Sequence, residues 1–367
     1  MDASGGLEWS TLQIALELSK RGHHLSVIYG SEGVLSDRYK AAKIEINGPV
    51  SFAFSKERPL RSVAGFRSSA SFGRAFHPDV LWLNRFENIQ WAETVAFWSG
   101  CPVVCHLRHM PNPGRESVFR HTVAHFVAIS DFMRDAWIEA GVSPGKISVI
   151  NNSLPDAEYV AGGVAERSRS RAELGLPDEP FIVLCYGRIL EEKGVGTLLD
   201  AWAKLDLEPS RALLLLVGSP SPSDVPELAP RLARLKPSGY RWFPMQENVI
   251  PFLYAADLVA FPTWLEEGFG RVVIEGMKTG RPVVASRIGA VSELFPDSMK
   301  RFLFEPRNSD ELTERIRELL DWRLHEPELA AACSQWVQHR FPFDENVSKF
   351  ETVLREFARH RRTMDSR

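Results

Sequence analysis

Short, fully apolar runs separated by amphipathic segments recur along this chain in two successive sets, and that pattern leaves few folds open. The runs at 181–186 and 212–217 carry an apolar side chain at nearly every position instead of alternating. A strand with one wet face alternates, so continuous runs mark strands buried on both faces, as in a parallel sheet. Parallel neighbours need crossovers, and helical patterns stand where crossovers are required. In the first half, strands are expected at 24–29, 80–83, 103–106, 126–129 and 147–150. Helices are expected at 11–20, ended by Gly22, and at 131–140, stopped by Gly141. The second half repeats the scheme, with strands at 181–186, 212–217, 258–261 and 282–285 and helices at 196–205, 249–255 and 271–279. The pattern predicts an α/β protein of two doubly wound, Rossmann-like domains facing across a cleft. Ligands of such sheets lie beyond the carboxyl ends of the strands.

At 367 residues the chain suits two cores better than one. The first domain is expected at 1–155, a polar linker or hinge at 156–178, and the second domain at 179–340. A closing segment at 341–367 holds an amphipathic helix with Val347, Phe350, Val353, Leu354 and Phe357 on one side and a basic tail from 359. That helix is expected to pack on a domain, with the first as candidate. Apolar and charged fractions of 44% and 25% exclude a disordered or fibrous chain, and a net charge of −3 gives no electrostatic case for nucleic acid. No apolar stretch is long enough to cross a bilayer, and the first residues lack a secretory pattern, so a cytoplasmic protein is expected. Peripheral contact with the inner face of a membrane is open through Lys20, Arg21 or the tail. Cys101, Cys105, Cys185 and Cys333 follow no metal or disulfide spacing and read as buried thiols. Asn151-Asn152-Ser153 and Asn346-Val347-Ser348 match a glycosylation acceptor pattern by chance.

Two segments carry chemistry. After the strand ending at Phe261 comes Trp264-Leu265-Glu266-Glu267-Gly268-Phe269-Gly270-Arg271, and a helix then runs through Glu275. Glycines before a helix start let backbone N–H groups approach an anion, and the helix dipole adds positive potential. A phosphate is therefore expected at Phe269, Gly270 and Arg271, with Gly268 in the same donor-binding loop, framed by Glu267 and Glu275, whose carboxylates suit sugar or ribose hydroxyls. Taken alone, the two would read as a dipole-complementing residue and a solvated one. The second segment, Gly187-Arg188 through Lys193-Gly194, follows the first strand of the second domain. Arg188 and Lys193 put two cations on a short loop, suited to a diphosphate. No Asp-x-Asp occurs in the chain, so no metal clamp is expected, and the two cations take over neutralisation of a leaving group.

These segments, with Tyr254-Ala255-Ala256-Asp257, Gly280-Arg281-Pro282-Val283-Val284-Ala285-Ser286 and Ile288-Gly289-Ala290, resemble the group 1 glycosyltransferases. These are the retaining, metal-independent family 4 enzymes of the GT-B fold. The likeness extends upstream through Val127 to Asp131, Val149 to Asn152 and Gly5-Gly6-Leu7-Glu8. It implies a nucleoside-diphosphate sugar as donor, a hydroxyl acceptor (glycan, lipid or small molecule) and no cofactor or metal. By the same likeness Glu267 positions the donor sugar, Glu275 holds the ribose, and Arg188 and Lys193 bind the diphosphate with help from Phe269 and Gly270 amides. Gly6 closes over the phosphates, and Arg108 and His109 are the first-domain candidates beside the donor, with His106 a third. The reaction implied is front-side displacement with retention, without a protein nucleophile.

The chain departs from the family at its start, where only four residues precede Gly5. Either further chain stands upstream, or the first strand is missing and the centre of the first sheet has a gap. Competing functions are an epimerase or phosphorylase on the same scaffold and a non-catalytic sugar-nucleotide binder. Trp82, Arg85, Phe86 and Trp91 are candidates for an acceptor groove, although aromatics at such spacing are more often core.

Overall fold

The computed structural model describes residues 5–55, 57–111 and 123–364, excepting the side chains of 359–364. It divides into two compact units: residues 1–153 with 343–367, and residues 154–342. Both are α/β with wholly parallel sheets.

The first unit contains β1 (Ser26–Ile28), β2 (Glu45–Asn47), β3 (Leu81–Leu83), β4 (Val103–Leu107), β5 (His125–Ala128) and β6 (Ile147–Val149). They form two separate sheets, β1-β2 and β3-β4-β5-β6. The helix Gly6–Lys20 spans the break: Leu12 and Ala15 share a cluster with Val27, Ile46 and Trp82, while Leu18 shares another with Val104, Val127 and Trp82. Among the described residues β1 and β3 are not paired with one another. β1 is only half-buried while β4 is buried throughout, and the buried Ser26 Oγ and Trp82 Nε1 have no hydrogen-bond partner among the described residues.

The helix Phe343–Met364 completes this unit. Phe343, Val347 and Phe350 are buried against Leu18, Val104, Val127 and Ile150, with Val353, Leu354 and Phe357 packed alongside. A charged clasp fixes it: Glu351 accepts from Arg21 Nη1 at 3.2 Å and from His23 Nε2 at 2.8 Å. These bonds hold Glu351 down to a pKa of about 2. Arg21, a candidate for membrane contact, is committed to Glu17 and Glu351. Of the basic tail, only helix backbone as far as Met364 is described.

The second unit is one six-stranded sheet in the order β12-β11-β10-β7-β8-β9. Its strands are β7 (Phe181–Arg188), β8 (Ala212–Ser219), β9 (Tyr240–Phe243), β10 (Leu258–Phe261), β11 (Val283–Ser286) and β12 (Leu303–Phe304). The continuous apolar runs are its centre, with β7 and β8 paired from Phe181↔Ala212 to Arg188↔Ser219. Strand order reverses between β7 and β10, so a crevice opens at their carboxyl ends.

The stretch expected as a hinge, 156–178, falls wholly within this unit. Val164–Glu173 is a helix, fastened by polar bonds where an apolar stripe would ordinarily serve. Arg171, fully buried, donates to the carbonyls of Ala255, Asp178 and Pro180 and to Asp257 Oδ2. Asp257 also receives Arg167, Arg323 and the Ile182 N–H. A sequence scan for apolar periodicity misses a helix held in this way. All four cysteines are free and buried, and burial pushes Cys185 and Cys333 up to about 12.

Candidate active site

The switch between β7 and β10 collects most of the expected site. Arg188 ends β7 and is exposed, with no ion-pair partner among the described residues. Gly187 before it has a φ of 121°. A tight turn, Glu191–Lys193, then leads to Gly194. At Gly194, where φ is 75°, a Cβ would collide with the Pro262 carbonyl, so only glycine lets this loop lie against the loop after β10. Trp264 stitches the two together, its Nε1 donating to the Glu191 carbonyl and its N–H to the Glu192 carbonyl at 3.2 Å. As a result Lys193 Nζ donates to Glu267 Oε1 at 2.5 Å, both side chains about one-fifth exposed. The loop after β11 supports Glu267 from behind, the Ala290 N–H donating to the Glu267 carbonyl at 2.9 Å.

Beyond Glu267 the chain passes Gly268 and the buried Phe269 to Gly270, which takes a φ of 98° as N-cap of the helix Arg271–Lys278. Gly270 brings no capping side chain, so the first helical N–H groups receive no side-chain acceptor from the cap position. One turn on, Glu275 is buried at 6% exposure instead of solvated. Its Oε1 accepts from Arg271 Nε at 2.5 Å and from the Tyr159 hydroxyl at 3.3 Å, and its Oε2 from the Tyr186 hydroxyl at 2.5 Å. Burial, then the Glu275 charge, push the Tyr186 phenol well up, and Tyr159 moves the same way for the same causes. Both phenols therefore stay protonated as donors. Burial opposes the charge of Arg271, but Tyr159 and Glu275 outweigh it and its pKa rises.

The two tyrosines were not legible as site residues. Tyr186 stood just before Gly187-Arg188, so its position was the signal available. Two quoted motifs turn out to be architectural. Asp257 anchors the helix Val164–Glu173, and Arg281 is buried with its guanidinium on the carbonyls of Gly162, Thr279, Tyr254 and Ala256.

In the first unit, the polar groups gather at the carboxyl ends of the strands. Arg108, just beyond β4, is buried and donates to Asn84 Oδ1 and Asn152 Oδ1, both at 3.0 Å, with His106 Nδ1 at 3.3 Å. His106 is buried against Phe350, and burial followed by the Arg108 charge lowers its pKa well below the usual imidazole value. His109 is exposed, its carbonyl taking the Trp137 Nε1–H at 3.1 Å. Gly6 is the first residue of the helix Gly6–Lys20, behind an extended Gly5. Arg85 pairs with Glu8 at 2.6 Å, while Phe86 and Trp91 are core. Asn346 is buried and donates to the Asn151 carbonyl, and Asn151 donates to the Ile129 carbonyl. Among the described residues no group of His, Cys, Asp and Glu is placed to hold a metal ion, and no helix is long and apolar enough to cross a membrane.

Residues 180–321 match the family profile "Glycosyl transferases group 1", and residues 4–157 match "Glycosyltransferase Family 4". The chain belongs to the group 1, family 4 glycosyltransferases. The first match takes in β7 to β12 of the second unit, and the second takes in β1 to β6 of the first. Among solved structures, Anabaena HepE in complex with UDP and glucose superimposes with a TM-score of 0.81 at 23% identity, covering 97% of this chain and 98% of that one. WaaG, a glycosyltransferase of lipopolysaccharide biosynthesis, gives 0.67 at 19% identity over 95% of each chain. These likenesses establish the GT-B fold for this chain. Among curated relatives, the D-inositol 3-phosphate glycosyltransferase of Corynebacterium efficiens is 33% identical over 48% of this chain and 43% of its own length. The lipopolysaccharide 1,2-N-acetylglucosaminetransferase of Salmonella typhimurium is 26% identical over 64% of this chain and 62% of its own. The chain thus spans about half the length of the curated relatives it matches.

Proposed function

We propose that this protein transfers a sugar from a nucleoside diphosphate to a hydroxyl acceptor, with retention and without a metal ion. The observation that carries the reading is the contact of Lys193 with Glu267 at the β7/β10 switch, where β7 ends in Arg188 and the helix Arg271–Lys278 starts without a side-chain cap. Arg188, Lys193 and the amides beyond Gly268 bind the diphosphate, and the cations take up its charge as the glycosidic bond breaks. Preorganised contacts of this kind are worth about 3 kcal/mol each. Glu267 exchanges Lys193 for the hydroxyls of the donor sugar, and Glu275 faces the ribose. The departing phosphate oxygen receives the acceptor proton, so no carboxylate needs to act as nucleophile. The family resemblance supports Arg108 and His109 as the first-unit candidates for contact with the substrates. The presence of UDP and glucose in HepE supports a UDP-hexose as first donor to test, and the names of the relatives support a polyol or glycan acceptor.

The test is product stereochemistry. NMR of the product formed from UDP-glucose should show the anomeric configuration of the donor kept; an inverted anomer would refute the mechanism. Release of an epimerised nucleotide sugar without acceptor would refute the reaction class.

A further inference from the structure

Three donors converge on Glu275, and the arrangement has a consequence for how a donor would bind. A carboxylate has about four lone-pair positions. Arg271, Tyr159 and Tyr186 take three of them, whereas a ribose 2′,3′-diol brings two hydroxyl donors. One existing bond must yield. The Tyr159 bond is the longest at 3.3 Å, and Tyr159 keeps a second bond from Arg271 Nη2, also 3.3 Å. The Tyr186 bond is short at 2.5 Å and comes from the end of β7, a strand paired along its whole length with β8. Arg271 holds the opposite oxygen from within Glu275's own helix.

We infer that Tyr186 is a positioning residue of the donor site, locking the Glu275 carboxylate for a ribose diol, while Tyr159 is the partner that gives way to it. The inference rests on the reading of Glu275 as the ribose ligand. Tyr186 reaches the nucleotide only through Glu275, so its effect belongs to donor binding and depends on the ribose hydroxyls.

UDP, GDP and ADP are titrated calorimetrically into the wild-type chain, and the diphosphate that binds is carried forward with its 2′,3′-dideoxy analogue. Tyr186→Phe should weaken binding of the ribonucleotide about tenfold and leave the dideoxy analogue within twofold of wild type. At saturating donor, kcat should stay within twofold. Tyr159→Phe should bind the ribonucleotide within twofold of wild type. An unchanged melting midpoint checks that both variants fold. Equal losses for ribo- and dideoxynucleotide in Tyr186→Phe, or no loss for either, would overturn the assignment. Failure of the underlying reading looks different: Glu275→Gln would then bind the ribonucleotide as wild type does, or no diphosphate would bind at all.

Discussion

Lys193 Nζ and Glu267 Oε1 lie 2.5 Å apart although they come from loops that follow different strands, β7 and β10. In this pair each charge neutralises the other. A diphosphate would compete with Glu267 for Lys193, and release of Glu267 would free its carboxylate for the donor sugar.

The two members of this pair should therefore fail differently. Lys193→Ala removes a cation from the leaving group and should cost roughly 10²–10³-fold in turnover, with weaker UDP binding. Glu267→Gln removes the competitor of the diphosphate. It should bind UDP at least as tightly as wild type while transfer falls by a similar factor. Calorimetry beside steady-state kinetics separates the two; equal loss of UDP affinity in both variants would contradict the exchange.

If Arg188 and Lys193 supply the positive charge at the leaving group, as proposed, chelator should leave transfer unchanged. Activity measured after dialysis against EDTA checks this, and a loss restored by Mg²⁺ or Mn²⁺ would show that the cations are insufficient.

Asp257 should be the most sensitive charged position of the second unit. It is buried, and although burial opposes its charge, Arg171 foremost, then Arg167, the Ile182 N–H and Arg323, hold its carboxyl below the usual range. Asp257→Asn strands those partners and should cost about 3–5 kcal/mol. Thermal unfolding should show a fall of roughly 10 °C. A fall of a degree or less would mean the arginines find other partners.

The closing helix should loosen in acid. Glu351 is held at about 2 by His23, Arg355 and Arg21, whereas an unfolded glutamate titrates near ~4.3. A depressed folded value stabilises above the unfolded value and is lost as pH falls towards the folded one. The melting midpoint of wild type should exceed that of Glu351→Gln at pH 6, and the gap should narrow between about pH 4.5 and 2. A gap that is constant or widens in acid would contradict the clasp.

What could be read from sequence divides by physical cause. β7 and β8 were legible because burial on both faces removes alternation and leaves unbroken apolar runs. β2, β9 and β12 were not, being short (three, four and two residues), with β9 at a sheet edge and partly exposed. The helix Val164–Glu173 was read as a linker because Arg171 fastens it through carbonyls and Asp257. At the site, the motif brought Glu267, Lys193 and Arg188 into view, and the loop contact at Gly194 explains why Lys193 and Glu267 meet. The role of Tyr159 and Tyr186 was hidden because Tyr159 lies more than one hundred residues from Glu275 and nothing local marks either phenol as a donor.

The most direct test of the account is thermal unfolding of the protein with UDP, GDP, ADP and UDP-glucose, alongside Lys193→Ala. A ligand at about a hundred times its dissociation constant adds ~2.7 kcal/mol, which corresponds to a midpoint shift of roughly 5–10 °C. The account predicts such a shift for one nucleotide class in wild type and its loss in Lys193→Ala. A cooperative transition that moves with none of them, or that moves equally in Lys193→Ala, would contradict a donor site at the carboxyl ends of β7 and β10.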